Sequence, residues 1–247
     1  MKYKLPFLLF CFLIIGCENK EGITFEPYEI SNNTCENCTS VHISIPKALN
    51  QTQIAETINT ALREEIISLL NFDEQTNIEN LQDAITSFSS DYKNLNEKFP
   101  EESTPWEAKI EGEVTFESKK FLTIKLDSYI FTGGAHGYST VRFLNFDVEN
   151  GLEIENDQLV KNHDAFFSFA EQKFREHENI PENSNINSTG FMFEEEVFTL
   201  PANMGYALNG IQLFYEPYEI ASYADGPILL TIPFAEANPY LNWPILP

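Results

Sequence analysis

Basic residues are scarce in this sequence of 247 residues. It has 15 Lys and Arg against 38 Asp and Glu, so the formal net charge at pH 7 is −23. Nucleic-acid binding depends largely on cationic contacts to phosphate, so this balance excludes a nucleic-acid partner and disfavours an anionic lipid surface. A field this negative attracts cationic partners and raises their encounter rate. It also promotes plain solubility, and charge alone does not separate the two interpretations.

Apolar runs long enough to cross a membrane are lacking. The longest, Leu5 to Ile15, is shorter than the roughly 20 residues of a transmembrane helix. It follows Lys2 and Lys4 and ends at Gly16-Cys17, which is typical of a bacterial lipobox. The alternative interpretation is an ordinary secretory signal with a chance cysteine.

We therefore predict a lipoprotein signal peptide over residues 1–16, a lipidated Cys17 and a tether over 17–23. Such a protein lies in the bacterial cell envelope, at the periplasmic or outer-membrane face, held by its lipid and not spanning the membrane. Loss of the signal would remove Lys2 and Lys4 and no acidic residue, taking the net charge from −23 to −25.

Cysteine is rare as well, with four in the chain. Cys11 lies in the signal and Cys17 is the predicted lipid site, which leaves Cys35 and Cys38. A zinc site would need a second pair of ligands, and no further cysteine provides one. We favour a local disulfide, with two reduced thiols as the second interpretation. A redox pair comes last, because the two cysteines lie between predicted strands and not at a helix N-terminus.

Motifs for common catalytic chemistry are missing. The sequence has no G-x-S-x-G elbow, P-loop, dinucleotide fingerprint or H-E-x-x-H pair. We predict no catalytic residue, no metal and no cofactor.

Hydrophobic periodicity predicts an α+β fold: two helices packed on an antiparallel meander, followed by a smaller α+β C-terminal domain. The predicted domains span residues 24–135 and 136–247. Alternating or helical patterns predict the elements in this order: strands at 23–31 and 40–46, helices at 54–69 and 78–99, strands at 106–117, 120–131 and 139–149, a helix at 165–178, strands at 196–201, 210–217 and 226–234, and a short helix at 235–242.

The loop "FTGGAHGYST" holds three glycines around one of the four histidines. We favour a structural turn in which Gly133, Gly134 and Gly137 allow positive φ or close backbone approach and His136 bonds to the turn. Contact with a ligand is the second interpretation. Catalysis, with Asp127 or Asp147 beside the imidazole, is the third.

Tyrosines near the end of the chain are candidate aromatic contacts. Tyr215, Tyr218 and Tyr223 could stack on a sugar ring or anchor a protein interface. Core packing is the simpler explanation for them.

Two segments carry a resemblance to a known family. "FTGGAHGYSTVRFLNFDVENG" followed by "GIQLFYEPYEIASYADGPILLTIPF" resembles a two-part family of exported bacterial proteins. Residues 24–130 are similar to the PdaC-type domain. The C-terminal part is similar to a domain of unknown function that also occurs in the extracytoplasmic region of the RsiV anti-sigma factor.

The resemblance implies recognition more than chemistry. RsiV-like relatives bind lysozyme, and PdaC-type relatives carry a separate deacetylase domain with a Thr-Phe-Asp-Asp-Gly-like motif, which this sequence lacks. We therefore expect an envelope lipoprotein that binds a basic, lysozyme-like protein or peptidoglycan glycan without catalysis. The alternatives are a peptidoglycan hydrolase or deacetylase using His136, and a structural lipoprotein with no soluble ligand.

Overall fold

The computed structural model describes residues 22–33, 35, 37–73, 77–101 and 104–245. The predicted signal peptide 1–16, the lipid site Cys17 and all but the end of the tether 17–23 lie outside these residues and stay predictions. The described residues form a six-stranded sheet, a three-stranded sheet and four α-helices. The predicted α+β class and the smaller C-terminal part are confirmed.

The large sheet has its six strands in sequence order: β1 (Phe25–Asn33), β2 (Ser40–Ala48), β3 (Glu107–Glu117), β4 (Phe121–Phe131), β5 (Tyr138–Asp147) and β6 (Leu152–Ile154). The pair β2–β3 is parallel because two helices connect these strands, and all other neighbours are antiparallel. The sheet continues across the predicted division between residues 135 and 136, since β5 pairs with β4.

Two helices cover one face of this sheet. Helix α1 (Gln53–Leu70) begins after Thr52, whose hydroxyl accepts from the Ala55 N–H, and α2 (Leu81–Lys98) begins after Asn80, whose side chain accepts from the Asp83 N–H. Both predicted helices are confirmed. The apolar stripe of α2 is buried only as far as Tyr92, and Phe99 at its C-terminal end is exposed. The first three turns of that stripe therefore supply the part of α2 that joins the core on this face of the sheet.

A β-bulge divides β3 between two cores. The alternation in the sequence predicts Val114 and Phe116 on one face, but the register with β4 shifts between these two residues. Val114 packs against the helix-side core, whereas Phe116 joins Phe121 in a second core on the opposite face. The extra residue of the bulge reverses the face of the sheet to which the side chains at the end of β3 point.

The C-terminal part contains α3 (His163–His177), β7 (Asn203–Ala207), β8 (Gly210–Tyr215), β9 (Ile228–Ile232) and α4 (Phe234–Ala237). The predicted strand at 196–201 is wrong, because the chain there is irregular and the strand begins at Asn203. The three strands form an antiparallel sheet in the order β7-β8-β9. This small sheet and α3 enclose the second core.

The two sheets are joined by side chains of the large sheet that bond to the backbone edge of β7. Thr115 donates to the Tyr206 carbonyl at 2.8 Å, and the Tyr206 N–H donates to the Thr123 hydroxyl at 3.1 Å. Asn145 donates to the Met204 carbonyl at 2.9 Å. These bonds satisfy the free edge of β7, which would otherwise be buried without partners.

Close approach at this joint depends on Gly205. A Cβ at this position would lie 2.5 Å from the ring of Phe143 on β5, closer than real side-chain contacts allow. We expect Gly205→Ala to lower the free energy of unfolding by about 2 kcal/mol, because Phe143 is buried and must shift. Chemical denaturation measures this change. Gly134→Ala, where no atom lies within 4 Å, tests the backbone cost of a glycine without a clash.

Candidate functional site

The glycine loop joins β4 to β5 at one end of the large sheet. Gly133 and Gly134 have φ values of 101° and 89°, which favour glycine, and space around both is open. Gly137 does not have positive φ, but a Cβ there would lie 2.5 Å from the Tyr129 ring. The loop therefore needs glycine for two reasons, conformation at the first two positions and close packing at the third.

His136 projects from this loop into an exposed stack of rings. Its ring lies 4.6 Å from that of Tyr223 with an angle of 18° between the planes. Tyr223 also stacks on Tyr218, at 5.4 Å and 26°. We call these three side chains the aromatic stack. It joins the loop before β5 to the segment between β8 and β9.

Tyr218 holds its place in the stack at a conformational cost. Its φ is 71°, a left-handed value that is uncommon for a bulky residue, and its side chain is 62% exposed. Strain of this kind costs about 1–3 kcal/mol and persists where the surroundings enforce it, often at binding sites.

The imidazole has no carboxylate partner among the contacts of the described residues. Its Nδ1 lies 3.0 Å from the Gly137 carbonyl. Of the two expected acidic neighbours, Asp147 is at the opposite end of β5, where it accepts from the N–H groups of Glu149 and Asn150. Asp127 pairs with Lys125 at 3.0 Å. This contact with the Gly137 carbonyl agrees with the interpretation of His136 as part of a structural turn.

Tyr215 requires a correction. It is fully buried in the second core, and its hydroxyl donates to the Thr199 carbonyl at 2.7 Å, so it cannot contact a ligand at the surface. It lies on β8 with its ring against Phe174 of α3. Tyr218 and Tyr223, in contrast, are both exposed.

Cys35 and Cys38 are joined by a disulfide in the loop between β1 and β2. Their Cα atoms are 5.2 Å apart, and the bond closes a short turn. Among the described residues, no group of His, Cys, Asp and Glu is arranged to hold a metal ion.

A cleft of about 270 Å³ is lined by residues from the same end of β3, β4 and β5 and by the chain that follows β8. One wall is the large-sheet face that the helices leave uncovered, and the other wall comes from the C-terminal part. Three carboxylates and one ammonium group line it. We call it the acidic cleft, and its lining residues are Lys109, Glu111, Asp127, Ser128, Tyr129, Ser139, Thr140, Val141, Phe214, Glu216, Pro217 and Pro227.

Glu216 is the most unusual group in the acidic cleft. Its Oε1 accepts from the Val141 N–H at 2.9 Å, whereas Oε2 is shielded from solvent and has no partner among the described residues. Burial raises the pKa of this carboxyl; the bond from Val141 opposes the shift and the charge of Glu219 adds to it. Burial and the carboxylates of Glu216 and Glu219 also raise the pKa of Tyr138 on β5.

Sequence reasoning missed Glu216 and Tyr138. Both stand next to residues that it singled out, but nothing in a one-dimensional pattern distinguishes Glu216 from the many other acidic residues. Its burial depends on pairing between β5 and the C-terminal part, where Asn203 also bonds to the Val141 carbonyl.

The opposite end of the large sheet contains a larger cavity of about 1060 Å³. It is lined by the start of α1, by the turns after β3 and β5, and by Gly22 and Ile23, where the described chain begins. The length of β4 separates the two ends by roughly 35 Å. No helix in the described part of the chain is both long and apolar enough to cross a membrane.

Comparison with known proteins identifies two family segments. Residues 32–139 match the family model described as Deacetylase PdaC, and residues 154–235 match the one described as a protein of unknown function, DUF3298. No curated protein matches the chain.

Two crystal structures share the fold. A DUF3298 family member from Bacteroides fragilis has a TM-score of 0.69 and 18% sequence identity, over 90% of this chain and 95% of that one. A DUF3298 family protein from Pseudomonas aeruginosa has a TM-score of 0.67 and 18% identity, over 92% of this chain and 98% of that one. This chain therefore carries an N-terminal segment similar to the PdaC family and a C-terminal segment similar to the DUF3298 family.

Proposed function

We propose that this protein is a non-catalytic binding protein of the bacterial cell envelope, and that it recognises a basic protein such as a lysozyme-like muramidase. The aromatic stack is the observation that carries the proposal. An exposed tyrosine in a left-handed conformation, stacked on a second tyrosine and on His136, is costly to maintain in a surface that only faces water.

Aromatic groups of this kind suit a protein interface. Tyrosine supplies a large rigid contact area with little conformational freedom to lose, and tyrosines are enriched among the residues that dominate binding energy. The stack is already ordered in the free chain by its ring contacts, so binding would lose less entropy there than at a mobile side chain.

Charge favours a basic partner over a neutral glycan. The formal net charge is −23, and Glu216 and Glu219 lie in the same segment as the stacked tyrosines. Complementary charge steers encounter and raises the association rate, whereas a neutral sugar gains nothing from it.

The position of the stack fits an anchored receptor. Gly22 lies at the end of the large sheet opposite the stack, so a lipid on Cys17 would hold the protein with the stack facing away from the membrane. A partner entering the envelope would then meet the aromatic stack first.

The enzyme alternative has less support. His136 contacts a backbone carbonyl and a tyrosine ring, and neither is a nucleophile or a group that would tune it as a general base. The name deacetylase belongs to the matched family, and we propose that this chain contributes recognition without turnover.

Binding of a lysozyme to the purified chain at increasing salt tests the proposal. We expect binding at low ionic strength that weakens as salt screens the charges. Some affinity should remain at high salt because of the aromatic contacts. Cytochrome c, another small basic protein, is the control for non-specific attraction. No binding at low salt, or equal binding of both proteins, would contradict the proposal.

A further inference from the structure

We infer that His136 contacts the partner directly, with its Nε2 nitrogen accepting a hydrogen bond from a lysine or arginine side chain. His136 belongs to the aromatic stack, so this contact deepens the proposed function and rests on it for the identity of the partner. It adds one atom, one bond and a dependence on pH that ring stacking alone would not produce.

The tautomer of the neutral imidazole follows from its contact with the loop. Nδ1 of His136 lies 3.0 Å from the carbonyl oxygen of Gly137, and a carbonyl oxygen only accepts hydrogen bonds. Nδ1 therefore carries the hydrogen, and a neutral imidazole has one such hydrogen. Nε2 keeps its lone pair, which makes it a hydrogen-bond acceptor.

Nε2 lies on an edge of the ring that the stack leaves open. Tyr223 covers a face of the imidazole, with 4.6 Å between the ring centres and 18° between the planes, and stacked rings leave their edges free. The His136 side chain is exposed, and no group of the described residues bonds to Nε2. A molecule that reaches the aromatic stack can therefore bond to this nitrogen.

The acceptor is held in place before a partner arrives. The contact with Gly137 and the stacking on Tyr223 fix the imidazole from two directions. Little side-chain freedom then remains to be lost on binding, whereas an unrestrained exposed histidine would lose more for the same bond.

The charges around the stack favour a cationic donor. Burial and the charges of Glu216 and Glu219 raise the pKa of Tyr138. Tyr138 is two residues from His136 in the chain, so this negative field reaches the stack. Glu219 and Asp225 already accept from N–H groups of their own segment. They attract a cation, and Nε2 offers that cation an acceptor that no internal donor occupies.

Acidification should break the contact. An imidazole gains a proton between about pH 8 and pH 5. Nε2 then becomes a donor, and the positive ring repels a lysine or arginine, so the affinity for the partner falls as the pH falls. The stack itself should survive, because a cation over the face of a tyrosine ring is attracted to it.

Other groups near the loop also titrate, so the wild-type profile alone does not isolate His136. Burial raises the pKa of Glu216, and loss of its charge at low pH would weaken a cationic partner in the same direction. A comparison with variants at position 136 separates the two effects, because every other group is common to all of them. The titratable and charged groups on the elements around the loop are Glu216, Tyr218, Glu219, Tyr223 and Asp225 between β8 and β9, and Asp127, Tyr129, Tyr138 and Arg142 on β4 and β5.

Two substitutions separate the acceptor from the ring. His136→Phe keeps an aromatic ring beside Tyr223 but has no nitrogen, and we expect the affinity for lysozyme at about pH 7.5 to fall about tenfold. His136→Gln supplies an acceptor that does not titrate, and we expect its affinity at that pH to stay within about threefold of wild type. Thermal unfolding checks that both variants fold.

The pH profile is the measurement that a merely structural role would not change. Between about pH 7.5 and pH 5.5 we expect wild type to lose about tenfold more affinity than His136→Gln. His163→Gln is the matched control, an exposed histidine on α3 whose Nε2 lies 3.1 Å from the Asp157 carbonyl, and it should keep the wild-type profile. Equal profiles for wild type and His136→Gln would overturn the contact and leave lysozyme binding intact.

The tautomer can be measured without any partner. In the free chain labelled with nitrogen-15, the chemical shifts of the imidazole nitrogens show which of them carries hydrogen. Signals that disappear in His136→Gln belong to His136, and we expect hydrogen on Nδ1 at about pH 7.5. Hydrogen on Nε2 at that pH would overturn the contact whether or not lysozyme binds.

The contact and the proposed partner can fail separately. If lysozyme does not bind, a blocked tetralysine peptide takes its place in the nitrogen-15 measurement. A shift of the His136 Nε2 signal at about pH 7.5, absent at about pH 5.5 and absent from His163, would support the contact and refute only the partner. No shift of that signal would overturn the contact as well.

Discussion

Replacing Asn145 by alanine is expected to lower the free energy of unfolding by about 3 kcal/mol. Asn145 is buried on β5 at the joint between the two sheets. Its amide donates to the Met204 carbonyl at 2.9 Å, and its Oδ1 accepts from the Thr123 hydroxyl at 2.9 Å. Alanine would leave the Met204 carbonyl and the Thr123 hydroxyl buried without their hydrogen bonds to Asn145.

The expected loss of stability is large because these buried groups cannot form hydrogen bonds to water instead. Thr123 is fully buried, and its oxygen also accepts from the Tyr206 N–H, so its hydrogen has to find another acceptor in the same place. Each unsatisfied buried group costs about 1–3 kcal/mol, more than the bond itself contributes to stability.

Chemical denaturation of Asn145→Ala, extrapolated to water, measures the effect. The control is Asn77→Ala, because Asn77 is exposed and its amide bonds to Glu79 on the surface. We expect the control to change stability by under about 0.5 kcal/mol. A similarly small change in Asn145→Ala would show that the joint does not depend on this amide.

A double-mutant cycle tests the network directly. Thr123→Val removes the hydroxyl while keeping the shape, so the costs of Thr123→Val and Asn145→Ala should be less than additive when combined. The coupling between the two positions should be about 0.5–3 kcal/mol.

The first half of the fold could be predicted from the sequence because its signals are local. Strict 3-4 spacing marks α1 and α2, and alternation marks β2 and β3. The start of α2 was predicted three residues early, because the Asn80 cap was not recognised. These patterns arise because one face of each element is buried. In β3 the prediction holds only as far as the bulge after Val114, beyond which Phe116 faces the second core.

The small sheet could not be predicted to the same degree. The sequence of β7, "NMGYA", contains two weak strand formers, and side chains of Thr115, Thr123 and Asn145 on other strands satisfy its edge. The neighbouring "EVFTLP" has the better strand composition but does not pair. Here tertiary hydrogen bonds override local propensity.

The candidate site could be predicted only in part, because tertiary contacts determine the rest of it. The glycines of the loop at 133–137 and the exposed Tyr218 and Tyr223 stand out in the sequence. Their stacking on His136 and the orphaned oxygen of Glu216 depend on how the C-terminal part packs on the end of β5, which no local pattern encodes.

Tyr223→Ala is expected to weaken binding of a lysozyme about 30-fold or more. Tyr223 lies between His136 and Tyr218, so its removal leaves both neighbours without a stacking partner and takes away the centre of the exposed surface. Loss of a tyrosine at the centre of an interface costs about 2 kcal/mol or more, and each 1.4 kcal/mol is about tenfold in Kd.

The fold should survive this change, which makes the result interpretable. Tyr223 is 40% exposed and belongs to neither core, so we expect its replacement to lower the free energy of unfolding by under about 1 kcal/mol. Tyr28→Ala is the matched control, since Tyr28 is 36% exposed and lies on β1, outside the stack. Titration calorimetry of both variants against lysozyme should show a weakened Tyr223→Ala and an unchanged Tyr28→Ala. Equal affinities for the two would mean that the aromatic stack is not the contact surface, and that the partner is held by charge alone.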